Sequence, residues 1–298
     1  MSITPRVPAS PSSAPREDVY LCQIRDLVYQ VAGIYQPENR LRFLEERCTR
    51  RMQKLALPSL REYFQQLRGE RGRAAEINEL LNEITIGETC FFRNHPQLEG
   101  FRHFVLPMVL ANKSHLPLKR IRIWSAGCST GEEAFTLAIL LSEEKAGLLR
   151  DCSFEVLATD LNQRSLAEAQ AGIYGDYATR NLNPYFRSKY FLQEANGKLR
   201  VQDSLRSLVR FSRLNLLDDG GMTFMKGIDV IFCCNVLIYF DSASKRRVIQ
   251  HFYNSLLPNS YLFLGHAETL FGINSDFQLV QFPGSGAYRK NGASRREL

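Results

Sequence analysis

A chain of 298 residues, 44% hydrophobic and 23% charged, can bury two cores and is too apolar to be a disordered polymer. No apolar run reaches the ~18 residues of a membrane span. The opening MSITPRVPASPSSAP lacks the apolar segment of a secretory signal, so we expect a cytoplasmic protein with flexible tails over 1–15 and 291–298.

The formal net charge of +7 fits either an ordinary solvated surface or an acidic partner. The seven cysteines are scattered without a CxxC pair and the five histidines have no ligand spacing, which reads as reduced thiols and no metal.

Helical periodicity runs from Glu17 to Ala111, and a helical N-terminal domain is placed over 16–111. Tyr20, Ile24, Leu27, Val28 and Val31 mark a first helix that stops at Gly33. Pro37 opens a second, with an apolar stripe of Leu41, Leu44, Cys48 and Leu55. Beside it lie Arg40, Arg47, Arg50, Arg51 and Lys54, which at 100° per residue share an arc of roughly 100°. Ser59 caps a third helix, Ile77 to Ile84 mark a fourth, and Phe101, Val105 and Val109 suggest another that bends or restarts at Pro107.

After a short basic linker, strand-like runs alternate with helical ones. RIRIWSA, FEVLATD, DVIFCCN and SYLFLGHAE read as strands; TGEEAFTLAILLSEE, QRSLAEAQAGIY and Ser242 to Leu257 read as helices. This alternation predicts an α/β domain over 112–290 with a parallel, doubly wound sheet, and FQLVQF and GAYRK add one or two final strands. Asn196-Gly197 is a hairpin signal, so a small β insertion is placed at about 188–212.

In such sheets a ligand sits beyond the carboxyl ends of the strands. SAGCSTGEE is the first strand–helix turn, and Gly127 and Gly131 let its backbone approach a ligand. A dinucleotide fingerprint reads GxGxxG, whereas this turn reads GxxxG and then Glu132-Glu133, which repels a pyrophosphate. The acids suit either the helix dipole or a cationic ligand without phosphate. S-adenosylmethionine, with an ammonium and a sulfonium, is such a ligand. Asp160, closing the second strand, either caps the next helix or accepts two ribose hydroxyls. Asn235 emerges from the third strand, and Tyr239 follows one turn later. The run NVLIYF lacks the Asn/Asp-Pro-Pro-aromatic motif of nucleic-acid amino-methyltransferases, which argues against nucleic acid as substrate.

Taken in order, ETCFFRN, WSAGCSTGEE, ATD, AGIY, FSRLNLL, CCNVLIYF and LFLGHAE resemble the CheR chemotaxis receptor methyltransferases, from about Asp18 to Lys290. The resemblance implies an all-α N-terminal domain joined to a Rossmann-like S-adenosylmethionine-dependent methyltransferase domain with a β insertion. It also implies methyl transfer to receptor glutamate side chains, with S-adenosylhomocysteine as product and the cytoplasmic helical bundle of a chemoreceptor as partner. Carried over by position, Thr89 and Arg93 reach from the helical domain to the cofactor. Glu133 takes its ammonium end, Asp160 the ribose, and Asn215 and Leu216 border the adenine. Cys234 and Asn235 lie beside the cofactor and Tyr239 near the methyl group; Arg93 and Tyr239 are the candidate catalytic pair. The basic stripe then becomes a docking face for the receptor.

Two positions depart from the family pattern. Gly87 stands where Asn is usual, and Cys234 where Arg is usual. Losing one neutral hydrogen bond at 87 weakens cofactor binding by roughly 0.5–1.5 kcal/mol. The hairpin segment LQEANGK is about three residues shorter than in members that tether to a receptor pentapeptide, so a pentapeptide-independent monomer is expected. The rival readings are a non-catalytic cofactor-sensing adaptor and a methyltransferase acting on RNA or a small molecule.

Overall fold

The computed structural model describes residues 17–69, 73–85 and 87–291. The tails expected at 1–15 and 291–298 lie outside the described residues, save for Asn291. The chain forms two compact units, one running up to Val31 and over Tyr35–Leu80, the other holding Ala32–Ile34 and everything from Leu81 onward. The helices α1 (Glu17–Ala32), α2 (Leu41–Leu55), α3 (Leu60–Arg68) and α4 (Arg73–Ile84) build the first unit, and the ends of α1 and α4 pass into the second.

The second unit continues with α5 (His95–Gly100), a π-helical turn over Phe101–Val105 and α6 (Leu106–Asn112). Then come β1 (Lys119–Ala126), α7 (Glu132–Glu143), β2 (Cys152–Asp160) and α8 (Gln163–Ala171). A small subdomain follows: β3 (Ile173–Tyr174), α9 (Asp176–Thr179), α10 (Pro184–Tyr190), β4 (Phe191–Gln193), β5 (Leu199–Val201) and α11 (Asp203–Arg206). The main sheet resumes with β6 (Val209–Arg213), α12 (Asp219–Met222), β7 (Ile228–Cys233), α13 (Ser242–Ser255), β8 (Leu256–Leu264), β9 (Phe277–Phe282) and β10 (Ser285–Lys290).

The main sheet has seven strands in the order β6-β2-β1-β7-β8-β10-β9. The first five are parallel, and β10 runs antiparallel to both its neighbours. Alternate residues feed two cores, as period-2 side chains must. Ile121, Ile123, Val230 and Phe232 join one, which includes Phe135 and Leu137 of α7. Trp124, Ala126, Ile231 and Cys233 join the other, with Val248, Ile249 and Phe252 of α13. Covering both faces is what lets these parallel strands be apolar almost throughout.

Three expectations are corrected here. Helix periodicity assigned 95–111 to the helical domain, but Phe101, Val105 and Val109 pack into the first of the two sheet cores, so the boundary lies at Leu80 and Leu81. AGIY closes in a strand: Ile173–Tyr174 pairs with β5 in the small sheet β3-β5-β4. The insertion therefore starts at 173, well before 188. At its other end, Val209–Arg213 is paired in register with Val156–Asp160 of β2, making β6 the edge strand of the main sheet. The hairpin itself stands at Asn196-Gly197, with Gly197 at φ +83°.

In the helical unit, Ile24, Val28, Leu44 and Leu67 are fully buried, and Ser59 Oγ accepts the Glu62 N–H at 3.3 Å to cap α3. Arg51 leaves the basic stripe. It falls on the buried face of α2 with Leu44 and Cys48, and only 7% of it is exposed. Its guanidinium forks onto the buried carboxylate of Glu76 (Nη2–Oε2 2.8 Å, Nε–Oε1 3.0 Å), and Tyr63 Oη donates to the same carboxylate at 2.9 Å. Arg51 Nη1 also reaches Glu79 Oε2 at 3.4 Å, so two ion pairs tie α2 to α4, with α3 attached through Tyr63. Glu76→Ala leaves the buried Arg51 only the longer contact to the part-exposed Glu79 and removes the acceptor of the Tyr63 hydroxyl, so it should lower stability by up to ~3–5 kcal/mol in urea denaturation, and Arg51→Met with Glu76→Leu by far less. A negligible change in Glu76→Ala would contradict this role.

Candidate functional site

The strand order reverses at β1: β2 lies on one side and β7 on the other, so the crevice beyond their carboxyl ends is the ligand position of a doubly wound sheet. A cavity of about 650 Å³ lies there. Gly87, Thr89, Arg93, Gly127, Glu133, Asp160, Asn215, Leu216, Cys234, Asn235 and Tyr239 all line it. It lies wholly within the sheet-bearing unit. Arg93 and Thr89 therefore do not reach in from the helical domain; Phe91 and Phe92, between them in sequence, are buried in the sheet core.

The turn after β1 is held by main-chain bonds. The N–H groups of Gly127 and Cys128 both donate to the Thr159 carbonyl, at 2.8 and 2.9 Å. Gly127 sits at φ +87°, and a Cβ there would lie 2.3 Å from Val236 Cγ2, so the glycine is required twice over. Ser129 adopts φ +49° and donates its N–H to Asp160 Oδ2 at 2.8 Å. The Asn162 N–H donates to Asp160 Oδ1, also at 2.8 Å. Asn162, whose Oδ1 accepts the Ser165 N–H, is the cap of α8, which leaves Asp160 for the cavity. Burial pushes the Asp160 pKa up, and the N–H groups of Asn162 and Ser129 pull it back.

The two glutamates have separate duties. Glu132 is buried beside Thr130, whose hydroxyl donates to it at 2.6 Å, and it does not line the cavity. Glu133 does line it and accepts the Ser125 hydroxyl at 2.7 Å. Burial raises the Glu133 pKa, opposed by hydrogen bonds from Ser125 and Cys234 and by the Arg93 charge.

At the end of β7, Asn235 takes a left-handed conformation at φ +62°. Glu268 Oε2 holds it there by accepting the N–H groups of Asn235 (2.9 Å) and Gly265 (2.7 Å). Cys234 Sγ lies 3.4 Å from Gln97 Oε1, and Gln97 Nε2 donates to the Leu264 carbonyl at 2.8 Å. The Leu216 carbonyl lies 2.8 Å from His251 Nδ1, and Asn215 Oδ1 accepts the Leu217 N–H at 3.0 Å. Tyr239 closes the 3₁₀ turn Leu237–Tyr239, half-buried. A Cβ at Gly87 would lie 2.4 Å from Ser129 Oγ, which donates to the Gly87 carbonyl at 3.1 Å; a side chain at 87 needs that hydroxyl to turn away.

Ser129, Gln97, Glu268 and His251 were not singled out from sequence. Ser129, inside SAGCSTGEE, and Glu268, the closing residue of LFLGHAE, stand in motifs; Gln97 and His251 carry no such signal. Among the described residues lining the cavity, Glu88, Glu133 and Asp160 are acidic and Arg93 alone is Lys or Arg. That arrangement suits a cationic nucleoside and disfavours a phosphate.

Comparison with known proteins gives the same picture. Residues 87–284 match the model of the CheR methyltransferase, SAM binding domain, and residues 21–85 that of the CheR methyltransferase, all-alpha domain. Chemotaxis protein methyltransferase 2 of Vibrio cholerae is 35% identical over 92% of this chain and 93% of its own length. The chemotaxis protein methyltransferase of Borreliella burgdorferi is 32% identical, covering 91% and 94%. Chemotaxis protein methyltransferase 1 of Pseudomonas aeruginosa is 34% identical, covering 89% and 95%.

A cation beside Glu133 favours its carboxylate over the protonated form that burial favours. Affinity for S-adenosylmethionine should therefore rise as pH rises through the elevated Glu133 pKa, with proton release on binding at the acid end. Calorimetric titration across pH should show a flatter profile in Glu133→Gln. An unchanged profile would show that Glu133 does not meet the cofactor's positive charge.

Proposed function

The chain belongs to the CheR methyltransferases, with S-adenosylmethionine as its cofactor, and from that premise we propose that it methylates glutamate side chains of a chemoreceptor, forming γ-methyl esters in sensory adaptation. The observation that carries this reading is the charge arrangement of the cavity: Glu133 and Asp160 face it, and Arg93, exposed, is its one described Lys or Arg.

The cofactor, when bound, supplies a methyl group on an electrophilic sulfonium. Glu133 holds its ammonium, Asp160 the ribose hydroxyls, and Asn215 and Leu216 border the base. Asp160 can accept further hydrogen bonds, because a carboxylate has about four acceptor positions and the main-chain N–H groups of Asn162, Ser129 and Leu161 do not fill them all. A receptor glutamate is already ionised at neutral pH, so no general base is needed. Arg93 steers the incoming carboxylate, with its Nη1 donating to the Glu88 carbonyl at 2.9 Å to fix its direction. Tyr239 orients the reacting groups within the cavity and helps exclude water.

Docking falls to Arg40, Arg47, Arg50 and Lys54. Arg40, Arg50 and Lys54 are exposed, and the Arg47 guanidinium lies 4.5 Å from the Phe43 ring centroid. They complement an acidic helical bundle and chiefly speed encounter at low salt. The tight β4–β5 hairpin fits an enzyme that works without a pentapeptide tether, as a cytoplasmic monomer. Among the described residues no helix is long and apolar enough to cross a membrane.

One assay tests the reading: base-labile methanol release from chemoreceptor-bearing membranes incubated with labelled S-adenosylmethionine. Wild type should release methanol. Arg93→Ala should lose on the order of 10²–10³ in kcat/KM. Arg40→Glu with Arg50→Glu should raise the receptor KM, most at low salt, with kcat kept. Alkali-stable label would contradict ester formation, cofactor binding without label would favour the adaptor, and label on RNA or a small molecule instead of receptor would favour the other rival.

A further inference from the structure

The segment from Gly87 to Asn94 carries Thr89 and Arg93 into the cavity, yet it is neither helix nor paired strand until it turns into α5. It includes Phe92 at φ +52°, a conformation costly for a bulky residue unless its surroundings hold it. Those surroundings are the inserted subdomain. The Phe91 N–H donates to the Ala178 carbonyl at 2.9 Å. The Phe91 ring stands edge-on to Tyr174 of β3 (4.9 Å) and Phe191 of β4 (5.2 Å). The Phe92 ring stacks on Phe186 of α10 at 5.2 Å and 7°. Asn181 Nδ2 lies 3.5 Å from Cys90 Sγ, and Tyr177 Oη donates to the Glu88 carboxylate.

Glu88, Cys90, Phe91 and Phe92 thus bind the insertion, and all of them but Phe91 also line the cavity together with Thr89 and Arg93. The chain is short: Tyr177 holds the Glu88 side chain, and the Glu88 carbonyl receives the Arg93 guanidinium. On the other flank the segment is held by the Phe92 N–H on Thr136 Oγ1 (3.2 Å) and by the Ser129 hydroxyl on the Gly87 carbonyl.

We propose that the insertion is the mount of the Arg93 segment, and that Tyr177 and Phe186 are positioning residues for the reaction. This rests on the role given to Arg93 above. It makes the insertion part of the reaction machinery in a chain whose hairpin is short for tethering. It also makes Tyr177, 58% exposed, a point through which anything touching the insertion alters turnover.

The test compares Tyr177→Phe, Phe186→Ala and Phe186→Tyr in the full chain, by turnover at saturating cofactor and receptor and by hydrogen exchange. Tyr177→Phe loses one hydroxyl at an exposed site, and kcat should fall roughly three- to tenfold. Phe186→Ala should cost more, with faster exchange of the Cys90–Arg93 amides and unchanged protection in β1, β2 and β7. Phe186→Tyr, which keeps the ring, should restore both. Unchanged exchange of the segment in Phe186→Ala, or wild-type kcat in both Tyr177→Phe and Phe186→Ala, would overturn the proposal. Should Phe186→Ala also loosen β5, Tyr177→Phe decides. Wild-type turnover in Arg93→Ala would instead remove the role given to Arg93, and the exchange result alone then decides whether the insertion mounts the segment.

Discussion

Asp160 is the fixed point of this site. One carboxylate oxygen accepts the Ser129 N–H and the other the Asn162 N–H, so a single side chain joins the turn after β1 to the entry of α8. That bond holds Ser129 in its left-handed conformation. The turn then enters α7 through Gly131, at φ +95°, with Glu133 on the cavity side and Glu132 in the protein. Where Asp160 points decides where the acids of the turn point.

Glu133 and Asp160 are both pushed toward their neutral forms by burial, and the hydrogen bonds they receive offset only part of it. A ligand carrying positive charge and two vicinal hydroxyls relieves both at once. The same charges reject a pyrophosphate, which a glycine turn at a helix N-terminus would otherwise attract. On the function proposed above, discrimination between a sulfonium nucleoside and a dinucleotide comes from the acids, and the glycines only allow close approach.

Much of the architecture could be read from the chain. The apolar run VIFCC marks a strand buried on both faces, RIRIW and FEVLATD bury their apolar residues with a charged residue among them, and the turn glycines lie where φ is positive. What could not be read was which core a helical face would join. The spacing of Phe101, Val105 and Val109 predicts a helix but says nothing of the sheet they pack on. Arg51 shows the same limit from the other side: an arginine on an apolar face is read as surface until its partner Glu76 is known. Short strands such as Ile173–Tyr174 have too few residues to show a period. The polar supports Gln97, Glu268 and His251 carry no periodic signal, and Gln97 bonds a carbonyl that lies far along the chain, at Leu264.

The small sheet gains a meaning that its sequence did not suggest. Its aromatic residues face the segment bearing Arg93, so insertion and cavity are one packed structure and not a domain with an accessory. Thr89 and Arg93 both line the cavity from that segment.

The most direct measurement is peptide mass spectrometry of a chemoreceptor after incubation with S-adenosylmethionine and either the wild-type chain or Asp160→Ala. A methyl ester on glutamate side chains with wild type, and none with Asp160→Ala, is the expected result. A methyl group on another residue type, or undiminished esterification by Asp160→Ala, would contradict the assignment of this cavity.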